Sequence, residues 1–265
     1  MDRNAKARLA RHAGVTPMVG RWLAALVIGA AFGATPSLAQ VTRVAAVDSA
    51  FVVAEKGIVE RGNALRREEG RATLVPNAAL TAAAREFAQF MARTDQYAHD
   101  ADGRQPEQRA EAQGYAYCRL AENIAYQFSS AGFSDDELAQ RFVQGWMNSP
   151  GHRRNLLDAE VTDIGVGLAR SARTGRHYAV QLFGRPESMK SAFRFTNAAR
   201  VAVTYELSGE SFVLEPRMTR EHVHCTPQPI AVRLPGADQP LLLTPKPGER
   251  LRIQDSGGRL RLQRG

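Results

Sequence analysis

The chain has 265 residues, 44% hydrophobic and 23% charged, with a formal charge of +8. That length suits one large domain or two smaller ones. The positive surplus is mild and no basic stripe is interleaved with aromatics, so nucleic acid is not indicated as a partner.

The first 39 residues read as a secretory signal. Arg3, Lys6, Arg8, Arg11 and Arg21 form a basic start, and WLAALVIGAAFGA is an apolar run of 13 residues. Such a run is short of the ~20 residues that span a bilayer. Ser37-Leu38-Ala39 then supplies a small-x-small cleavage site before Gln40. No twin arginine precedes the run, which favours the general secretory route; the competing reading is an N-terminal anchor. Cleavage would lower the formal charge to +4 and leave about 226 residues without a second hydrophobic span. The expectation is a soluble, monomeric chain in the periplasm or outside the cell. Cys118 and Cys225 fit one disulfide in such an oxidising compartment, two free thiols being the alternative.

Hydrophobic spacing predicts a helix over 44–69, through Val44, Val47, Phe51, Ile58, Val59 and Leu65, stopped by Gly70 and weakened by Gly57 and Gly62. A second helix starts at an Asn77 cap, carries Leu80, Ala84, Phe87, Ala88 and Met91 on one face, and ends near Thr94. The polar loop YAHDADGRQP follows, then a short helix from Pro106 to Ala112, closed by Gly114. Residues 115–134, which include AENIAYQF, read as irregular. Asp135 and Asp136 open a helix whose Leu138, Phe142, Val143 and Trp146 face inward. Ser149 and Pro150 then suit the cap and first position of another helix. His152 falls in its first turn, where the helix dipole disfavours the protonated ring. DIGVGLAR and RHYAVQLFG alternate as an antiparallel strand pair joined by SARTG, closing an α+β layered domain near Gly184. From Met189 the helical pattern is gone. VAVTYEL, SFVLEP, IAVRL, PLLLTP, RLRIQ and RLRLQ read as strands of a small all-β appendage.

No phosphate-binding loop, HExxH or GxSxG motif occurs. DADG is not an EF-hand, because alignment on Gly103 puts Ala98 first and Arg109 last among the ligands. Three residues remain as candidates: His99 in the loop, Glu122 in AENIA and His152. Two imidazoles and a carboxylate can ligate a divalent metal such as zinc, or hold a water for acid–base work. Their structural alternatives are a helix C-terminal cap, a buried salt-bridge partner and a first-turn hydrogen-bonder. Ser149 beside His152 invites a nucleophile reading, set against capping, which would tie up its hydroxyl. His222 and His224, two apart on a probable strand, share a face. They lack an evident third ligand, which favours a solvated strand face.

In order, LTAAAREFAQFMA, AHDADGR, AENIA, WMNSPGHRRNLL, DIGVGLAR and YAVQLFG resemble the bacterial branch of the CAP superfamily (cysteine-rich secretory proteins, antigen 5, pathogenesis-related 1), the SCP-like extracellular proteins. NALRREEG sits where that family has its first-helix signature. The likeness covers about residues 50–185. It implies a three-layer α-β-α sandwich with an antiparallel central sheet over 44–186, the β-rich segment 189–265 standing outside it. It also implies a surface cavity lined by two histidines and acids. Carried over by motif, His99, Glu122 and His152 are three of its four residues. The fourth, a glutamate in eukaryotic members, falls on Ser149, so the tetrad is incomplete. The family implies a divalent cation, zinc among them, between His99 and His152, and lipid-like or protein partners. Three functions stay open: a binding module with a weak metal site and an envelope or lipid-like ligand; a metal-dependent hydrolase with Glu122 as general base; and an envelope adaptor working through the β region. A Cys118–Cys225 pair would pin that region near AENIA, as a wall of the cavity.

Overall fold

Asn77 shows how local chemistry starts an element here: its side-chain oxygen accepts from the amides of Ala79 and Leu80. The helix it caps is α2, Ala78–Thr94. The computed structural model describes residues 50–265, so the expected signal and the expected helical start over 44–49 lie outside the described residues. The other helices are α1 (Val52–Glu68), α3 (Pro106–Ala112), α4 (Asp135–Met147) and α5 (Pro150–Leu156). Asp135 and Asp136 open α4 as expected, behind a Ser134 cap in a reciprocal box with Glu137. The glycines that weakened α1 serve packing: a Cβ on Gly57 would lie 3.1 Å from Ala139 of α4.

Four strands form the central sheet: β1 (Val75–Pro76), β2 (Tyr117–Gln127), β3 (Asp163–Arg170) and β4 (His177–Pro186), in the order β1-β3-β4-β2. β3 and β4 are the expected hairpin; the two-residue β1 lies parallel to β3, and the other pairs are antiparallel. β2 corrects the irregular reading of 115–134. Glu122, Asn123 and Ile124 are buried in succession, so the strand lacks the alternation by which a half-exposed strand is recognised.

Alternation along β3 and β4 divides the core. Ile164, Val166, Leu168, Ala179 and Phe183 pack against α1, α4 and α5. Tyr178, Val180 and Leu182 face α2. These are the layers of an α+β sandwich. On the α2 side β3 presents glycine, because α2 lies directly on the strand. A Cβ on Gly165 would come within 2.2 Å of the Leu80 carbonyl carbon, and one on Gly167 within 2.2 Å of the Arg85 amide. At the open edge of β3, Glu55 of α1 accepts from the Leu168 amide and pairs with Arg85 of α2, tying the two helix layers together.

A 3-10 turn, Glu187–Met189, leads into eight further strands. These are β5 (Ser191–Asn197), β6 (Val203–Leu207), β7 (Glu210–Leu214), β8 (Thr219–His224), β9 (Ile230–Arg233), β10 (Leu241–Leu243), β11 (Arg250–Ser256) and β12 (Arg259–Arg264). They make two sheets, β10-β9-β6-β7 and β12-β11-β5-β8, around their own core of Phe193, Phe195, Tyr205, Val232 and Ile253. β5 had escaped the sequence reading. The described residues form one compact unit. Cys118 and Cys225 are bonded across it, and Arg185 donates to the Cys225 carbonyl at 2.9 Å. Among the described residues no helix is long and apolar enough to cross a membrane.

Three stability predictions follow from this packing. Gly165→Ala and Gly167→Ala each destabilise by about 3 kcal/mol in urea titrations, the upper end of overpacking costs. Gly145→Ala on exposed α4, where the new Cβ meets nothing nearer than 3.9 Å, stabilises by up to about 1 kcal/mol. Replacing both cysteines by serine frees a loop of 107 residues, and the same titration should register a loss of about 2–5 kcal/mol.

Candidate functional site

The site is built outward from a buried arginine that sequence reasoning did not single out. Arg109 of α3 stacks 3.6 Å over the Phe87 ring of α2. Its guanidinium donates to Asp102 (2.8 Å), to the Arg104 carbonyl (2.7 Å), to the His99 carbonyl (2.9 Å) and to Glu122 Oε2 (2.8 Å). The loop after α2 is thereby folded back onto β2. Burial opposes the charge of Asp102, but hydrogen bonds from Arg104 and the charge of Arg109 outweigh it and hold the carboxyl below its ordinary range. Removing one member of so buried a cluster typically costs about 3–5 kcal/mol.

Glu122 Oε1 accepts from His99 Nδ1 at 2.7 Å. The carboxylate can only accept, so Nδ1 carries the proton and Nε2 keeps its lone pair in the neutral ring. His99 is half exposed while the Glu122 side chain is 2% exposed. The hydrogen bond to Glu122 raises the His99 pKa, burial opposes this, and the charge of Glu122 adds to it. His99 is therefore not a helix cap. Glu122 is the buried salt-bridge partner foreseen as its structural alternative. With one bond on each oxygen, from His99 and from Arg109, its carboxylate holds the His99 ring in place.

α5 places His152. Arg66 of α1 donates to the carbonyls of Leu156 and Asp158 at the end of that helix. Asn155 Nδ2 donates to the Glu122 carbonyl and to Asn123 Oδ1, while Asn123 Nδ2 donates to the His152 carbonyl and to Gln181. The His152 pKa is lowered, first by burial and then by the charge of His99. The ring stays neutral as expected, but desolvation is the leading cause in place of the helix dipole. The charge of His99 is thus felt at His152, and the amide bonds hold α5 against the stretch of β2 that carries Glu122. Ser149 holds the cap position of α5 without a side-chain capping bond. Its hydroxyl is not tied up as expected, and it joins neither imidazole nor Glu122 in the hydrogen-bond network. Asn123, Asn155 and Gln181 are the other residues missed; only Asn123, an amide inside an apolar run, carried a signal.

Among the described residues no three His, Cys, Asp or Glu side chains are grouped to hold a metal ion. His99 and His152 offer two imidazoles, and the Glu122–His99 bond is the arrangement that orients a metal-binding histidine. None of the hydrogen bonds from Arg185 and Thr226 that join the β region to the α+β part reaches His99, Glu122 or His152. The second histidine pair is placed differently from expectation. His222 is buried in the β core, bonded to the Tyr205 hydroxyl at 2.7 Å and stacked on Phe193, because its side of β8 faces inward. His224 stacks on it with ring centroids 6.0 Å apart.

Residues 59–183 match the cysteine-rich secretory protein family, CAP, and that segment belongs to it. The uncharacterized protein YkwD of Bacillus subtilis (strain 168) is 31% identical over 132 residues, 49% of this chain and 47% of that one. The chain thus spans about half the length of this relative. An outer surface protein of Borrelia burgdorferi is 22% identical, with 51% of this chain and 93% of that chain covered and a TM-score of 0.45. An extracellular protein containing a SCP domain from Bacillus anthracis is 26% identical, covering 50% of this chain and 40% of that one, with a TM-score of 0.43.

Histidine titration by NMR tests the electrostatics. Glu122→Gln should move the His99 midpoint down, while His152 stays below 6.5 because burial holds it there. In linkage terms, the stabilising contribution of His99 is full below its unfolded value and is lost as pH rises through its raised folded value. That pH dependence should shrink in the variant. An unchanged His99 midpoint would contradict the assignment.

Proposed function

We propose that the chain is an exported binding module. His99 and His152 would weakly hold a divalent cation such as zinc, beside a cleft for an envelope-derived or lipid-like ligand. The observation that carries this reading is the 2.7 Å bond from His99 to a Glu122 locked by Arg109. It fixes the proton on Nδ1, turns Nε2 into the free donor atom, and limits the rotation of the ring. Neutral His152 supplies the second lone pair. Two imidazoles leave the remaining coordination positions to water, which makes the site weak and exchangeable.

When bound, the cation would supply a positive centre for an anionic or carbonyl oxygen of a ligand. The chain's own contribution is to orient the His99 ring and to keep the His152 ring unprotonated. Export rests on the reading of residues 1–39. A lipid-like ligand has a candidate seat in the crevice of about 440 Å³ between α1 and α4, where Leu65, Val143 and Met147 supply apolar wall. The crevice reaches Asn148, next to the start of α5.

Calorimetric zinc titration at neutral pH tests the metal reading. The expected result is saturable one-to-one binding that disappears in His99→Ala/His152→Ala and weakens about 10–100-fold in Glu122→Gln. Affinity should also fall as pH drops, because His99 must release the proton of its Nε2 to bind. Identical heats from the wild-type chain and the double variant would overturn it.

A further inference from the structure

The β region carries a second polar feature, on the face turned away from its core. Phe193, Phe195, Leu251 and Ile253 point into that core. By alternation, Arg194 and Thr196 of β5 and Arg250 and Arg252 of β11 point outward. A depression of about 410 Å³ opens there, lined by Arg194, Arg250, Arg252 and Arg264 together with Thr196 and Thr219. Arg194 lies directly beside Arg250 in the parallel pairing of β5 and β11. Like charges on adjacent strands are destabilising unless something neutralises them.

The chain neutralises only part of this charge. Arg264 is held by both oxygens of Glu249, at 2.5 and 2.9 Å. Arg194 reaches Glu221 at 3.4 Å. Arg250 and Arg252 are exposed and form no ion pair with any described residue. Thr196 and Thr219 bond to each other at 2.9 Å, which consumes one hydroxyl proton and leaves the other to be donated. The surroundings are basic too: from residue 189 on, twelve Lys and Arg stand against seven Asp and Glu.

We propose that this depression binds a phosphate group. Guanidinium forks match phosphate oxygens in pairs, and several cationic groups in one hollow favour a multiply charged anion over a single carboxylate. No aromatic side chain lines the hollow, which removes the stacking platform that single-stranded nucleic acid uses. The phosphate arrives on a soluble phosphate compound or on a lipid headgroup. The site is independent of His99 and His152.

The test uses the chain beginning at Gln40, with inorganic pyrophosphate in calorimetry and with vesicles of phosphatidylglycerol and phosphatidylcholine, or phosphatidylcholine alone, in sedimentation. Arg250→Gln/Arg252→Gln removes the unpaired charges. Arg200→Gln/Arg217→Gln, outside the hollow, removes the same charge and serves as control. Saturable binding to pyrophosphate or to phosphatidylglycerol vesicles is expected, at least ten-fold weaker in the first variant and unchanged in the second. Pyrophosphate binding identifies a soluble source, and vesicle binding alone identifies a headgroup. Absence of binding to both probes, or an equal loss in both variants, overturns the proposal. If the double variant does not fold, Arg252→Lys, which keeps the charge but loses the fork, must still weaken binding several-fold.

Discussion

The close seat of α2 on β3 is the constraint from which the candidate site descends. Gly165 and Gly167 let helix backbone meet strand backbone, and alanines on α2 complete the contact. That seat fixes Phe87, whose ring carries the Arg109 guanidinium. Arg109 in turn fixes the loop after α2 and the Glu122 carboxylate, and Glu122 fixes His99. A change at the glycines would therefore reach the histidine through four successive contacts, none of them adjacent in sequence.

Electrostatics then gives the two site histidines opposite characters. His99 is half exposed and bonded to a carboxylate, so its charged form is favoured. His152 is desolvated and faces the charge of His99, so its charged form is disfavoured. Burial of one ring and the charge of the other thus disfavour charging both together. The Glu122 carboxylate is bonded on both oxygens, to Arg109 and to His99.

The β sandwich differs in kind. Its core is aromatic and aliphatic and closes on itself, with His222 absorbed as a packing residue through Tyr205 and Phe193. Its outer sheet face is polar and positively charged. The two parts meet through the disulfide, the Arg185 bond to Cys225 and the Thr226 bond to Glu160. The disulfide ties the β region to β2, the strand that carries Glu122. The region is better understood through its own surface.

The sequence by itself determined the elements whose signals are local. Asn77 announces α2, Pro106 announces α3, and the alternation in DIGVGLAR and RHYAVQLFG announces β3 and β4. Ordered motifs also pointed to His99, Glu122 and His152. Tertiary structure decided whatever depends on partners distant in sequence. β2 was hidden because both of its faces are buried. Arg109 was hidden because nothing near it in sequence distinguishes a buried guanidinium from a surface one. The Ser149 hydroxyl lies outside the network although its position suited a cap. The inward turn of His222 followed from which face of β8 meets the other sheet. Propensity and periodicity act over a few residues, whereas burial and charge neutralisation are settled only when remote segments meet.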